Sequence, residues 1–135
     1  MSEISCHIIT IGDEILYGHI LDTNSKWLSE NISLLGLKIS KKSTISDNYK
    51  EIITSVNDSI AKYNLTILTG GLGPTNDDVT KNCLNEYFGC KLVYDKKTLD
   101  HIKKIFKKRN LDFTLKNKQQ ALVPDKCKVL HNKNG

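Results

Sequence analysis

Residues 69–80 read TGGLGPTNDDVT, and no other stretch constrains the fold of this chain as strongly. An apolar run rich in strand formers, residues 65–68, precedes it, and residues 79–88 follow with apolar side chains at helical spacing. A strand that ends in three glycines and continues as a helix directs several backbone N–H groups toward one point. Together with the helix dipole, such groups bind phosphate. The segment therefore predicts a phosphate-binding loop between a strand and a helix.

The same segment also admits a plainer interpretation, in which the glycines only make a tight turn and Thr75 or Asp77 caps the next helix. It is not a Walker loop, because no GKS or GKT follows, and it lacks the GxGxxG spacing of the Rossmann fold. Two adjacent carboxylates, Asp77 and Asp78, fall where a bound phosphate would lie. Acids beside an anion site favour a metal ion or a proton transfer.

Strand and helix patterns alternate along the chain. Strand patterns cover residues 5–11, 37–45, 65–69, 91–94 and 126–131, and helix patterns begin near residues 24, 47, 79 and 95. The first helix pattern puts four apolar side chains on one face: Trp27, Leu28, Ile32 and Leu35. Such alternation predicts an α/β fold with three α/β/α layers, in which a mostly parallel sheet has helices on both faces. With 135 residues, the chain is predicted to be one domain, residues 1–135.

Three segments that follow predicted strands carry carboxylates: residues 12–18, 46–48 and 69–78. Because parallel strands end at the same edge of a sheet, and ligands bind at that edge, these segments are expected to converge on one site. Asp47 also has a plainer interpretation. Either Asp47 or Asn48 could cap the following helix, with Glu51 completing a capping box if Asn48 is the cap.

The formal charge of +5 is unevenly distributed. From residue 91 onward there are 13 Lys/Arg against 4 Asp/Glu, whereas residues 1–90 have 7 against 11. A basic C-terminal third can attract nucleic acid, but lysines at 96, 97, 103, 104, 107 and 108 also fit the solvated face of one amphipathic helix. We favour the solvated face and expect no nucleic-acid partner.

The chain has the character of a cytoplasmic protein. Its N-terminus does not resemble a signal peptide, and no apolar segment approaches the roughly 20 residues that span a bilayer, so no membrane contact is expected. The four cysteines lack the paired spacing of a zinc site and are interpreted as structural thiols, buried in the fold.

Four segments in chain order resemble the motifs of one family. They are GDEILYGHILDTN at 12–24, TGGLGPTNDDVT at 69–80, NKQQALVP at 117–124, and NKNG at 132–135, which begins a longer NxxGTAPG element. The chain thus resembles the molybdopterin-binding (molybdenum cofactor biosynthesis) domain superfamily. Within it, the chain is most similar to the N-terminal domain of the competence/damage-inducible protein A (CinA) family. The resemblance also implies that the sequence stops before the TAPG residues of the last element.

The resemblance implies a site for the phosphates of a nucleotide or a pterin. CinA-type domains look like pyrophosphatases that act on ADP-ribose with a divalent metal, here expected to be Mg²⁺. The residues implied to bind the nucleotide or its phosphates are Gly12, Glu14, Asn24, Thr69, Gly70, Gly71, Gly73, Pro74 and Thr75. Asp47 and Asp78 are implied as the catalytic residues and metal ligands. Asp13 departs from the family pattern, which has Thr at this position.

Two other functions stay open. The same loop could serve a molybdopterin-binding or molybdopterin adenylyltransferase-like domain, although GDEILYG is unlike the opening loop expected of stand-alone adenylyltransferases. Alternatively, the chain could be a non-catalytic nucleotide-binding module. Relatives self-associate, so a homo-oligomer is a further expectation. The amidohydrolase-like second domain usual in CinA proteins has no counterpart in these residues, and its activity is not expected here.

Overall fold

The most apolar strand pattern, SCHIITI, forms the middle strand of a parallel sheet. The structure is a computed structural model that describes residues 4–73 and 79–132. In chain order the elements are β1 (Ser5–Ile11), α1 (Asp13–Leu16), α2 (Thr23–Leu34), β2 (Lys38–Ile45), α3 (Tyr49–Lys62), β3 (Leu65–Thr69), α4 (Thr80–Tyr87), β4 (Leu92–Tyr94), α5 (Lys96–Lys108), α6 (Leu115–Gln119) and β5 (Leu122–Pro124). The sheet has the order β2-β1-β3, and both pairings are parallel.

The two faces of this sheet are covered by different helices. Cys6 and Ile8 point to one face and pack with Leu28 and Ile32 of α2. His7 points to the other face, where its ring bonds to Ser59 of α3. Because alternate residues of a strand face opposite sides, α2 and α3 lie on opposite faces of β1. The predicted α/β fold, a parallel sheet between helical layers, is confirmed.

The described chain divides into two compact units. Residues 4–72 and 79–84 belong to the first unit, which contains the parallel sheet. Residues 73 and 85–132 belong to the second, which contains β4 and β5 as an antiparallel pair together with α5 and α6. In the second unit all six lysines of α5 are exposed, as predicted for a solvated helix face. That residues 1–135 form one domain stays a prediction.

Two sequence-based expectations about local structure were wrong. No strand forms at residues 126–131; the last strand described is β5, which lies slightly earlier in the chain and pairs antiparallel with β4. The apolar stripe of α2 is also narrower than predicted, because Trp27 is 61% exposed and Leu35 is 77% exposed. Only Ile32 of the four is buried, and Leu28 packs against it as a half-buried side chain.

The cysteines differ in their surroundings. Cys6 and Cys83 are buried, which confirms the prediction of structural thiols for these two. Cys90 is half-buried and Cys127 is exposed, so the prediction that all four are buried was wrong. None of the four forms a disulfide bond. Burial raises the pKa of the Cys6 thiol, which keeps it protonated and unreactive at neutral pH.

His7 is the centre of a buried side-chain hydrogen-bond network between the sheet and α3. Its Nδ1 lies 2.8 Å from Ser59 Oγ and its Nε2 lies 2.6 Å from Ser43 Oγ, while Ser59 Oγ lies 2.7 Å from Thr66 Oγ1. The Tyr63 ring packs against the imidazole with centroids 5.0 Å apart. Both ring nitrogens are thus satisfied with a neutral ring, since a hydroxyl can donate or accept.

Burial, and to a lesser degree the positive charge of Lys41, lowers the pKa of His7 below its ordinary value near 6.5. The unfolded chain therefore binds a proton at a higher pH than the folded chain does. The free energy of unfolding should be fully retained above pH 6.5 and should fall below it, by up to about 1.4 kcal/mol per pH unit. Urea titrations at several pH values check this. In the variant His7→Asn, the free energy of unfolding should fall less steeply below pH 6.5 than in the unmodified chain. In His19→Asn, which changes an exposed histidine, it should fall as steeply as in the unmodified chain.

Candidate functional site

The end of β1 is tied to the end of β2 at the carboxyl edge of the sheet. Gly12 N–H donates to Ile45 O at 3.0 Å, and Asp13 N–H donates to Asp47 Oδ2 at 3.1 Å. The segment after β1 and the segment after β2 therefore meet, as the sequence predicted. The side chain of Asp47 is the group that joins them.

Asp47 is not the cap of α3. Asn48 takes that position, because its Oδ1 accepts from the backbone N–H groups of Lys50 and Glu51. Glu51 does not complete a capping box with Asn48; its Oε2 accepts from Ser46 N–H instead, at 3.1 Å. The helix is thus capped without Asp47, whose carboxylate stays at the edge of the sheet.

In the glycine loop (residues 69–80), Gly70 and Gly71 pack directly on this edge. Gly70 has φ +94° and Gly71 has φ +59°, both in the left-handed region. A Cβ atom at Gly70 would overlap the carbonyl oxygen of Ile11, and one at Gly71 would overlap Thr80 Oγ1 and lie 3.4 Å from Asp47 Oδ1. Only residues without a side chain allow this approach. The described part of the third predicted segment, residues 69–73, thus meets the other two, with the Asp47 carboxylate beside the Gly71 backbone.

Thr80, the last residue of the motif and the first of α4, closes the loop. It is completely buried; its Oγ1 donates to Gly70 O at 3.0 Å, and its N–H donates to Gly71 O at 3.2 Å. These two bonds hold the start of α4 against the backbone of Gly70 and Gly71. The sequence reasoning did not single out Thr80, although its place at the end of the motif was the available signal.

Asn24 and Thr69 also meet at this edge. Asn24 Nδ2 lies 3.5 Å from Thr69 Oγ1, a long hydrogen bond between the start of α2 and the last residue of β3. The two predicted binding residues are therefore brought together. Asp22, which precedes Asn24 and which the sequence reasoning missed, bonds to Thr10 of β1 at 2.7 Å.

Asp13 and Glu14 lie at the start of α1. A Cβ atom at Gly12 would lie 2.8 Å from Glu14 Oε1, so the Glu14 carboxylate folds back over Gly12. Asp13 Oδ1 is a buried oxygen without a hydrogen-bond partner, in the position where the family pattern has Thr. Such an oxygen is costly to bury alone, and a bound cation would satisfy it.

The described residues do not by themselves assemble a metal centre. Within residues 4–73 and 79–132 there is no group of three or more His, Cys, Asp or Glu side chains placed to hold an ion. The edge does offer carboxylate oxygens from Asp13 and Asp47, which are the hard donors that Mg²⁺ prefers. Three residues predicted for the site, Pro74, Thr75 and Asp78, lie outside the described residues. Gly73 is described and is exposed.

Comparison with known proteins gives the class to which this fold and loop belong. The family described as "Probable molybdopterin binding domain" matches residues 7–131. The chain therefore belongs to the family of molybdopterin-binding domains.

Curated relatives that match nearly all of this chain include CinA-like proteins. The chain is 46% identical to the CinA-like protein of Cytophaga hutchinsonii over 134 residues, which are 99% of this chain and 32% of that protein. It is 42% identical to the CinA-like protein of Flavobacterium psychrophilum over 131 residues, or 95% of this chain and 31% of that one. The chain thus spans about a third of the length of the curated relatives it matches. The predicted family resemblance is confirmed.

Solved structures agree with this assignment. The CinA protein of Thermoplasma acidophilum superimposes with a TM-score of 0.82 at 28% identity, covering 98% of this chain and 78% of that one. The tungsten cofactor synthesizing protein MoaB of Pyrococcus furiosus gives a TM-score of 0.61 at 17% identity, covering 92% and 80%. The second comparison shows a shared fold only.

Within the described residues, no helix is long and apolar enough to cross a membrane.

Proposed function

We propose that this chain binds a nucleoside diphosphate ligand at the glycine loop and hydrolyses its pyrophosphate bond, with ADP-ribose or a similar nucleotide as substrate. One observation supports the proposal above others. The Asp47 carboxylate lies beside the backbone of Gly71, at the edge where the strands end. A phosphate held by loop N–H groups would therefore lie next to a carboxylate, the pairing that metal-assisted phosphate chemistry uses.

Each part of the edge has a role in this proposal. The left-handed glycines leave room for a phosphate to approach the backbone, and Thr80 holds their carbonyl groups away from it by bonding to both. Asp47 binds the metal or accepts a proton from the attacking water, and Asp78 is proposed as its counterpart. Mg²⁺, when bound, would neutralise phosphate charge and polarise the bond that breaks.

The direct test is incubation of the full chain with ADP-ribose and Mg²⁺, with products separated by chromatography. We expect AMP and ribose 5-phosphate, because water adds to one phosphorus and the bridging oxygen leaves with the other phosphate. Chelation of the metal with EDTA should abolish the reaction, and added Mg²⁺ should restore it. Intact ADP-ribose after long incubation with Mg²⁺, Mn²⁺ and other divalent ions would contradict the proposed activity.

A second candidate function is binding of molybdopterin, with or without adenylyl transfer. The family match over residues 7–131 favours it. Parallel titrations with ADP-ribose and with molybdopterin separate the two candidates, since tighter binding of the pterin would favour the second. A third outcome is a rise in melting temperature with ADP-ribose but no turnover, which would identify a non-catalytic nucleotide-binding module.

A further inference from the structure

Asp22 uses both of its carboxylate oxygens, although a helix cap needs only one. Oδ1 accepts from Ser25 N–H at 2.9 Å, the ordinary bond of an N-cap residue. Oδ2 accepts from the hydroxyl of Thr10 at 2.7 Å, and Thr10 is a β1 residue that is only 2% exposed. One half-buried side chain thus fastens the start of α2 to the central strand.

Asp95, the N-cap of α5, shows what an ordinary cap looks like in this chain. Its Oδ2 accepts from both the N–H and the hydroxyl of Thr98, at 2.8 and 2.6 Å. Both hydrogen bonds come from a residue of its own helix, and the same oxygen lies 3.9 Å from Nδ1 of His131, beyond hydrogen-bond distance. The bond from Asp22 to a buried strand residue is therefore additional to capping.

The hydrogen bond between Asp22 and Thr10 lies close to the start of the glycine loop. Thr10 pairs in register with Thr69, the last residue of β3 before Gly70. Asn24, two residues after Asp22, donates to Thr69 Oγ1. Fixing the start of α2 on β1 therefore also fixes where the Asn24 amide lies relative to Thr69.

The surroundings of Asp22 favour an ionised carboxylate. Burial acts to raise the pKa of Asp22, but the hydrogen bonds from Ser25 and Thr10 and the charge of Lys42 outweigh it and hold the pKa below its ordinary value. A charged acceptor makes stronger hydrogen bonds than a neutral one. The hydrogen bond from Thr10 to Asp22 is thus charge-assisted at neutral pH.

We propose that Asp22 is a positioning residue for the glycine loop: by joining α2 to β1 it holds Asn24 against Thr69, where the loop begins. The ligand part of this inference rests on the proposed function, since the loop is taken to hold the nucleotide phosphates. Asp22 itself need not touch the ligand.

The test uses two variants that break the same hydrogen bond from its two ends. Asp22→Ser keeps a good N-cap but has a single short oxygen, and Thr10→Val removes the donor while leaving the cap in place. Each should raise the KM for ADP-ribose about tenfold with kcat changed much less, as loss of one charge-assisted hydrogen bond predicts. The double variant should lose no more than either single one, because both act through one bond. Asp95→Ser is the matched control and should leave the KM unchanged.

A second readout does not depend on turnover. The amide NMR signals of Gly70 and Gly71 should shift in Asp22→Ser and in Thr10→Val, and should stay in place in Asp95→Ser. If the unmodified chain neither binds nor hydrolyses ADP-ribose, the proposed function fails, yet these signals still decide the positioning role. Signals that move no more than in Asp95→Ser would overturn the inference, as would a KM for either variant equal to that of the control.

Discussion

Replacing Gly70 with alanine should cost the protein about 2–5 kcal/mol of unfolding free energy and abolish ligand binding at the loop. Two physical effects add up here: an alanine in the left-handed region is strained by about 1–2 kcal/mol, and forcing a methyl group into a packed contact costs about 1–3 kcal/mol more. The backbone at Gly70 has φ +94°, and its Cβ would overlap the carbonyl oxygen of Ile11. Backbone at that contact cannot move without displacing β1.

Gly36→Ala is the matched control for this experiment. Gly36 follows α2 with φ +78°, and a Cβ atom there would have nothing within 4 Å. This variant therefore carries the left-handed strain without the overlap, and should lose only about 1–2 kcal/mol. Thermal unfolding of both variants measures the difference, which should amount to several degrees in melting temperature. Equal losses in the two variants would show that the close approach of Gly70 to Ile11 contributes nothing.

The variant Asp47→Asn should lower turnover of ADP-ribose about 100-fold or more while the melting temperature changes by only a few degrees. An asparagine oxygen can still accept the hydrogen bond from Asp13 N–H, so the link between the two segments survives. The charge that would bind a metal or take a proton is lost, and such groups contribute about 10²–10⁴-fold in rate. Asp78→Asn should have an effect of the same order if Asp78 is the counterpart of Asp47.

Glu51→Gln provides the comparison for Asp47→Asn. Glu51 accepts from Ser46 N–H in the same segment, and the glutamine oxygen can keep that bond. Steady-state rates with ADP-ribose should therefore be close to those of the unmodified chain. If both variants lose activity equally, the effect comes from the net charge of the segment. If Asp47→Asn retains full activity, Asp47 has no part in the reaction.

The sequence predicted β1 and β3 well because each is a short run rich in apolar and β-branched residues. Both Ser5–Ile11 and Leu65–Thr69 begin and end where the patterns predicted. The strand predicted at residues 126–131 was wrong because a short alternating pattern does not specify a partner. In the second unit the partner of β4 is the segment Leu122–Pro124 instead.

The candidate site could be predicted in outline for a topological reason. Parallel strands bring their carboxyl ends to one edge, so carboxylates that follow different strands must meet there. Sequence could not reveal which atoms meet. Whether Asp47 would cap α3 or face the loop depended on Asn48 taking the cap, and the roles of Thr80 and Asp22 depended on contacts across the fold.

What the sequence by itself determined is the kind of site: a glycine turn between a strand and a helix, at the end of a strand in a parallel sheet. Local chemistry is sufficient for this, because only glycine adopts such a turn freely and only apolar runs form buried strands. The tertiary structure alone decided that Gly70 lies against the Ile11 carbonyl, and that the Asp47 carboxylate lies beside Gly71. Such contacts join residues far apart in the chain, and their geometry follows from packing three strands and two helices together.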